Sequence, residues 1–324
     1  MSGEFITGEG FDRMIIDFHV HLMAAPKFLA QAYWDHWVRL AGDLSGRPEE
    51  KIREKLPQCW DETGELLIRD MDSAGIDYSV ISVIDHGLTQ SVGEAACSIL
   101  EINRLYADIV NQYPDRLIAF AGVDPRRDNA LEILKAGIDD FGMKGIKLLP
   151  PTGFYPNDKK LCYPIYEFAS DRGLPVLVHT GTEATPLYSK YGQPIFMDEV
   201  AADFPDLNFI LGHAGFCWWP EAVSIANCKS NNYLDIAGWQ PRARLHPVEE
   251  FYKPLRTIIN NIGSHRILFG SDWPALKLMM NSQKWVDILR NPSDEAKAQG
   301  IAPDEKEAAN ILGKAAARLL KLTD

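Results

Sequence analysis

The chain has 324 residues, 46% hydrophobic and 24% charged, a globular composition long enough for one large α/β domain or two smaller ones. Its formal net charge of -12 disfavours nucleic acid or an anionic membrane as a partner, while leaving room for a local basic pocket. No run of about 18 apolar residues is present, so no transmembrane helix is expected.

Residues 1–13, MSGEFITGEGFDR, lack the charged start and apolar core of a secretory signal and read as a loose arm. Residues 14–19 form the first expected strand, an apolar run ending in His19-Val20-His21. Alternate side chains of a strand share a face, so His19 and His21 would project together from its carboxyl end. Two imidazoles converging there suit a divalent metal. The aromatic segment 22–58 reads as a helical insertion covering the mouth of a site, and 63–74 as a helix stopped by Gly75.

From residue 78 the pattern alternates. Apolar, β-branched runs predict strands at 78–84, 117–123, 145–149, 176–179, 207–212, 233–236 and 266–269. Helices are expected between them at 93–112, 128–141, 163–172, 195–204, 220–226 and 248–262, and after them at 275–289 and 304–321. Continuous apolar strands are what a parallel sheet covered on both faces requires. Eight βα units fit one (β/α)8 TIM barrel, a single domain over 1–324. An open doubly wound sheet is the alternative, but no GxGxxG or P-loop follows any strand. The five cysteines lack CxxC spacing and read as reduced, mostly packed thiols of a cytoplasmic protein.

Metal-competent residues recur where the strands end. His19 and His21 close the first strand, and Lys147 sits late in the fourth, in GIKLLP. His179 closes the fifth in PVLVHTGT, His213 the sixth in FILGHAGF, and Asp272 follows the eighth in ILFGSDWP. In a barrel all these ends open onto one face, where chemistry is done. Asp17 is read as pointing outward, a buttress of the barrel.

These ordered motifs, from IIDFHVH to LFGSDWP, resemble the amidohydrolase superfamily. Within it they resemble the amidohydrolase-related branch, which includes aminocarboxymuconate-semialdehyde decarboxylase and the resorcylate-type decarboxylases. The resemblance covers nearly the whole chain. It implies that His19, His21, His179 and Asp272 hold the metal, and that His213 acts beside it on the substrate. Resorcylate-type members often carry glutamate at the first histidine position, so His19 draws this chain toward the aminocarboxymuconate type. Binuclear superfamily members carboxylate a strand-four lysine to bridge two metals. The branch resembled is mostly mononuclear, which implies one divalent ion, zinc or else manganese. Resemblance and the aromatic-rich insertion together point to a homodimer.

Chemically, imidazole and carboxylate suit zinc or manganese, and a bound water would lose a proton near pH 7. Asp272 can take and return that proton, while His213 can polarise a substrate oxygen or orient the water. Lys147 is open to three readings: a carboxylated bridge, a partner for a substrate carboxylate, or an internal ion pair. The expected activity is hydrolysis of a lactone, ester or amide-like bond in a small molecule. Decarboxylation of an unsaturated or aromatic acid is the alternative on the same ligands. Trp218 and Trp273, and with them Trp219 and Trp239, read as walls of a pocket for a flat ligand or as loop packing. His86 reads as a surface or hydrogen-bonded loop residue, Cys217 as packing, and Arg126 and Arg127 as a solvated loop or a carboxylate clamp.

Overall fold

The computed structural model describes residues 13–322. Residues 1–12, within the expected arm, lie outside the described residues. Eight parallel strands stand in one sheet in chain order: β1 Ile16–Val20, β2 Tyr78–Ser82, β3 Leu117–Gly122, β4 Ile146–Leu148, β5 Val176–His179, β6 Phe209–Gly212, β7 Asn232–Asp235 and β8 Ile267–Leu268. The seam between β8 and β1 is joined where Phe18 N–H donates to Phe269 O at 2.9 Å and where Val20 bridges Trp273. Helices run between the strands, giving the (β/α)8 barrel that the alternating pattern predicts.

Two apolar layers explain why the strands read as unbroken apolar runs. Ile16, Phe18, Val80, Phe120, Leu177, Ile210 and Leu268 pack together inside the barrel. Ile15, Val20, Ile81, Ile146, Val178 and Leu234 pack outward beneath the helices. The last helix, Ala315–Leu319, adds Ala315, Ala316 and Leu319 to the inner layer beside Met14.

Strand β1 departs from simple alternation at one point, and the site depends on it. With Phe18 inside the barrel, a regular strand would turn His19 outside. Instead the pairing shifts register: Asp17 stands opposite Ser79 and Val20 opposite Ile81, three residues against two. This bulge turns His19 and His21 to the inner side along with Phe18. Asp17 precedes it, and its carboxylate accepts from Ser271 N–H at 2.8 Å across the seam.

The insertion after β1 is built on the helices Gln31–Ser45 and Glu49–Arg53. It has its own small core of Leu29, Trp34, Val38, Ile52 and Leu56, with Trp34 stacked on Trp37. The helix Glu65–Ala74 ends at Gly75, whose φ of 66° is the left-handed cap that glycine favours.

Other boundaries move for local reasons. The helix expected from 93 begins at Ile99, where Ser98 and Glu101 form a capping box. The helix expected at 304–321 is Glu305–Ala309 and Ala315–Leu319 joined by a π turn, Asn310–Lys314. Short helices at Gln240–Leu245 and Asp294–Ala298 were not expected. The cysteines are all unpaired, but Cys217 and Cys228 are exposed rather than packed. No helix among the described residues is long and apolar enough to cross a membrane.

Candidate metal centre

The strand ends bring His19, His21, Lys147, His179, His213 and Asp272 to one end of the barrel. His19 Nε2 lies 3.1 Å from His21 Nε2 and 3.0 Å from Lys147 Nζ. Asp272 Oδ1 is 3.9 Å from His21 Nε2. One ligand atom from each of His19, His21 and Asp272 falls within 4.8 Å of the other two. His179 joins at one remove: its Nδ1 is 3.1 Å from His213 Nε2, and the His213 ring is 4.6 Å from that of His19.

The partners of the outer ring nitrogens assign the tautomers. His21 Nδ1 is 2.8 Å from Ser82 O and His213 Nδ1 2.9 Å from Ala237 O; a carbonyl only accepts, so both nitrogens carry the proton. His19 Nδ1 donates to Asp235 Oδ2 at 3.0 Å. The inner Nε2 atoms of His19 and His21 therefore both carry lone pairs 3.1 Å apart, with the Lys147 amine donating to that of His19. Two acceptors this close need a proton or a cation between them. Atoms about 2.1 Å from one ion stand about 3.0–3.4 Å apart at bond angles of 90–109°. The donor set thus fits a divalent ion. With His213 Nε2 an acceptor, His179 Nδ1 donates to it, which leaves His179 Nε2 as a buried lone pair with no hydrogen bond.

Electrostatics point the same way. Burial first, and then Lys147 or a neighbouring imidazole, hold His19, His21 and His179 well below the ordinary histidine value, in the neutral form that binds metal. Burial holds Lys147 down at about 8, against the pull of Asp235, Asp272 and Glu183. Burial, reinforced by Glu183, raises Asp272 well above the usual carboxylate range. Backbone strain gathers at two of these residues: His213 and Asp272 adopt φ of 59° and 53°, unusual for non-glycine residues and common at functional sites.

Other residues took places that pattern reading did not anticipate. Asp235 closes β7 and holds His19 through one oxygen; the other accepts from the N–H groups of His213 and Ala237 at 3.1 and 2.9 Å. Its signal, an acid at the end of an apolar strand, is the same one that marks Asp272. Glu183 Oε1 lies 3.5 Å from His179 Nε2. Tyr33 of the insertion packs its ring 4.2 Å from that of His86.

His86 is buried rather than at the surface, and its Nδ1 has no hydrogen-bond partner. A cavity of about 10 Å³, room for about one water, adjoins it.

The tryptophans divide. Trp273 is 1% exposed and gives its indole N–H to Asp70, so it packs behind the loop rather than walling a pocket. Trp239 is buried and donates to His213 O. Trp218 stays half-buried beside Gly215. Arg126 is bound by Asp124 and Arg127 by Asp85 and Glu94, so neither is a free clamp.

Eight βα units with imidazoles and carboxylates gathered at the strand ends define a metal-dependent barrel enzyme. The chain belongs to the amidohydrolase family, which it matches over residues 16–322. A curated relative, 2-keto-4-carboxy-3-hexenedioate hydratase of Sphingobium sp. (strain NBRC 103272 / SYK-6), is 25% identical over 236 residues. That match covers 62% of this chain and 65% of the relative, so the chain spans less than two thirds of its length.

Among solved structures, an uncharacterised TIM-barrel protein from Bordetella bronchiseptica is 24% identical, with a TM-score of 0.69 over 95% of this chain and 99% of that one. A 5-carboxyvanillate decarboxylase from Novosphingobium aromaticivorans, solved with manganese and 4-hydroxy-3-methoxy-5-nitrobenzoic acid, is 17% identical. Its TM-score is 0.66 over 99% of both chains. At these identities the likeness is one of fold, and a divalent metal is common ground for the family.

Proposed function

We propose that the chain hydrolyses a lactone, ester or amide-like bond in a small organic molecule at a single divalent ion, zinc or manganese. His19, His21, His179 and Asp272 would hold the ion, which when bound supplies Lewis acidity and a readily deprotonated water. The observation that carries this reading is the two lone pairs on His19 and His21, 3.1 Å apart, with Asp272 beside them. Asp272, raised by burial, is placed to accept a proton and hand it to the leaving group. The role beside the ion falls to His213 Nε2, the ring nitrogen not tied to Ala237 O, which would give up its bond from His179 Nδ1–H to take a proton from water or substrate. Half-buried Trp218 is kept as a candidate substrate contact.

Decarboxylation is the second reading, and Lys147 favours it. Its amine is buried among the ligands, where a substrate carboxylate would meet a cation at the reacting end. The carboxylate-bearing compounds in the names of the hydratase and decarboxylase relatives agree with an acidic substrate.

The test is a panel of cyclic lactones and dihydroxybenzoate-like acids on metal-loaded protein in oxygen-18 water. Label in a ring-opened product supports hydrolysis. Carbon dioxide with solvent hydrogen on carbon overturns it in favour of decarboxylation, and loss of a conjugated double bond with no bond cleaved overturns it in favour of hydration. Cytoplasmic location and a homodimer remain proposals. The aromatic residues behind the dimer expectation pack largely within the insertion, so light scattering decides it.

A further inference from the structure

Glu183 stands at the mouth of the centre without a task in the reading above, on which this inference rests. It lies in the loop after β5, four residues beyond His179. The loop is pinned there: Glu183 N–H donates to Ser189 Oγ at 3.0 Å, and that hydroxyl donates back to Glu183 O at 3.3 Å. Carboxylate Oε2 accepts from Ala184 N–H at 3.0 Å. The other oxygen, Oε1, faces His179 Nε2 at 3.5 Å.

That nitrogen belongs to a ring only 4% exposed and makes no hydrogen bond. Because His179 Nδ1–H is directed at His213, Nε2 turns a lone pair toward the carboxylate. This is a second pair of acceptors held face to face, beside the one formed by His19 and His21. Its spacing is close to the edge of a coordination shell: atoms about 2.1 Å from an ion at the tetrahedral angle stand about 3.4 Å apart.

We propose that Glu183 is a further donor to the ion held by His179, and that it sets which metal the centre keeps. Three imidazole nitrogens and two carboxylate oxygens exceed the four positions of a tetrahedral zinc site. They suit manganese, which takes larger and more oxygen-rich shells. Without Glu183 the remaining three histidines and Asp272 form a four-donor set that zinc satisfies.

The experiment titrates metal-free wild type and Glu183→Gln separately with manganese and with zinc, against a chromophoric chelator. Visible spectra of the cobalt-loaded proteins then report coordination number. Glu183→Gln is expected to weaken manganese at least about tenfold and zinc less than about threefold, while cobalt absorption intensifies toward the four-coordinate form. Equal manganese affinity in the two proteins, with superimposable cobalt spectra, would overturn the proposal and leave the metal reading intact. Wild type binding neither metal would remove the metal reading itself, and this proposal with it. Should Glu183→Gln fail to fold, the wild-type cobalt spectrum alone decides: five- or six-coordinate supports the proposal, four-coordinate overturns it.

Discussion

Asp235 shows how much one side chain can set. Its two oxygens hold His19 Nδ1 and the backbone at His213, so one buried carboxylate orients both histidines. Asp235→Asn would offer His19 an amide N–H, favouring the tautomer that places the proton on the metal-facing nitrogen. Metal affinity is expected to fall about 10- to 100-fold with the fold retained, as when such outer partners are lost elsewhere; unchanged affinity in a chelator competition would count against this role. His213→Ala should behave in the opposite manner. It should keep the metal yet cost at least about a hundredfold in turnover, as loss of an electrostatic or acid–base group does. Metal loss on that change would show that His213 is a ligand.

The strand-end residues were legible because a barrel collects its strand ends, whatever their separation in the chain. Asp235 obeyed the same rule, but spacing cannot tell a carboxylate that steers a ligand from one that caps a strand. Glu183 arrives on the loop after β5 and Tyr33 on the inserted helix Gln31–Ser45, and no strand periodicity encodes where either of them lands.

At the scale of elements, β1 is the case where alternation was right about the pair and silent about the reason. His19 and His21 do share a face, yet Phe18 faces inward too, and only the extra residue reconciles them. The strand's close fit to β8 is the corollary. A Cβ on Gly270 would stand 2.8 Å from His19 Cβ and 2.9 Å from Ala237 Cβ. Gly270→Ala should therefore displace His19, lowering stability by about 1–3 kcal/mol and weakening metal binding together. Denaturant unfolding with matched metal titration would check it, and an effect on neither would contradict the packing described.

The helix expected at 304–321 runs without a break from Glu305 to Leu319 but widens into a π turn at Asn310–Lys314. A Cβ on Gly313 would collide with Met14 O, so the π turn lies against the start of the barrel, a contact that helical period cannot foresee.

For the whole molecule, the order of eight strands was readable because each carries its own apolar run. The closing helices are fastened by a different means. Arg256, on the helix Glu249–Ile262, makes two hydrogen bonds of 2.8 Å to Glu307, on the helix Glu305–Ala309. That guanidinium holds the Glu307 carboxyl below its usual value. A depressed folded pKa adds stability that is present above the unfolded value, about 4.3, and is lost as pH falls through the lower folded value. Glu307→Gln should cost about 1–2 kcal/mol at pH 7, with the gap to wild type closing as the solution is acidified below about pH 4. Urea unfolding at both pH values reads this directly; a gap that stayed constant would contradict the ion pair's role.

All the chemistry proposed depends on whether a cation unites residues from β1, β5 and the loop after β8. The most direct measurement is a crystal grown with excess manganese, with anomalous data collected for that metal. One peak per chain is expected, about 2.0–2.2 Å from the Nε2 atoms of His19 and His21, with His179 and Asp272 drawn onto the same ion. A map with no peak between those imidazoles, or one with the peak held by other residues, would contradict it.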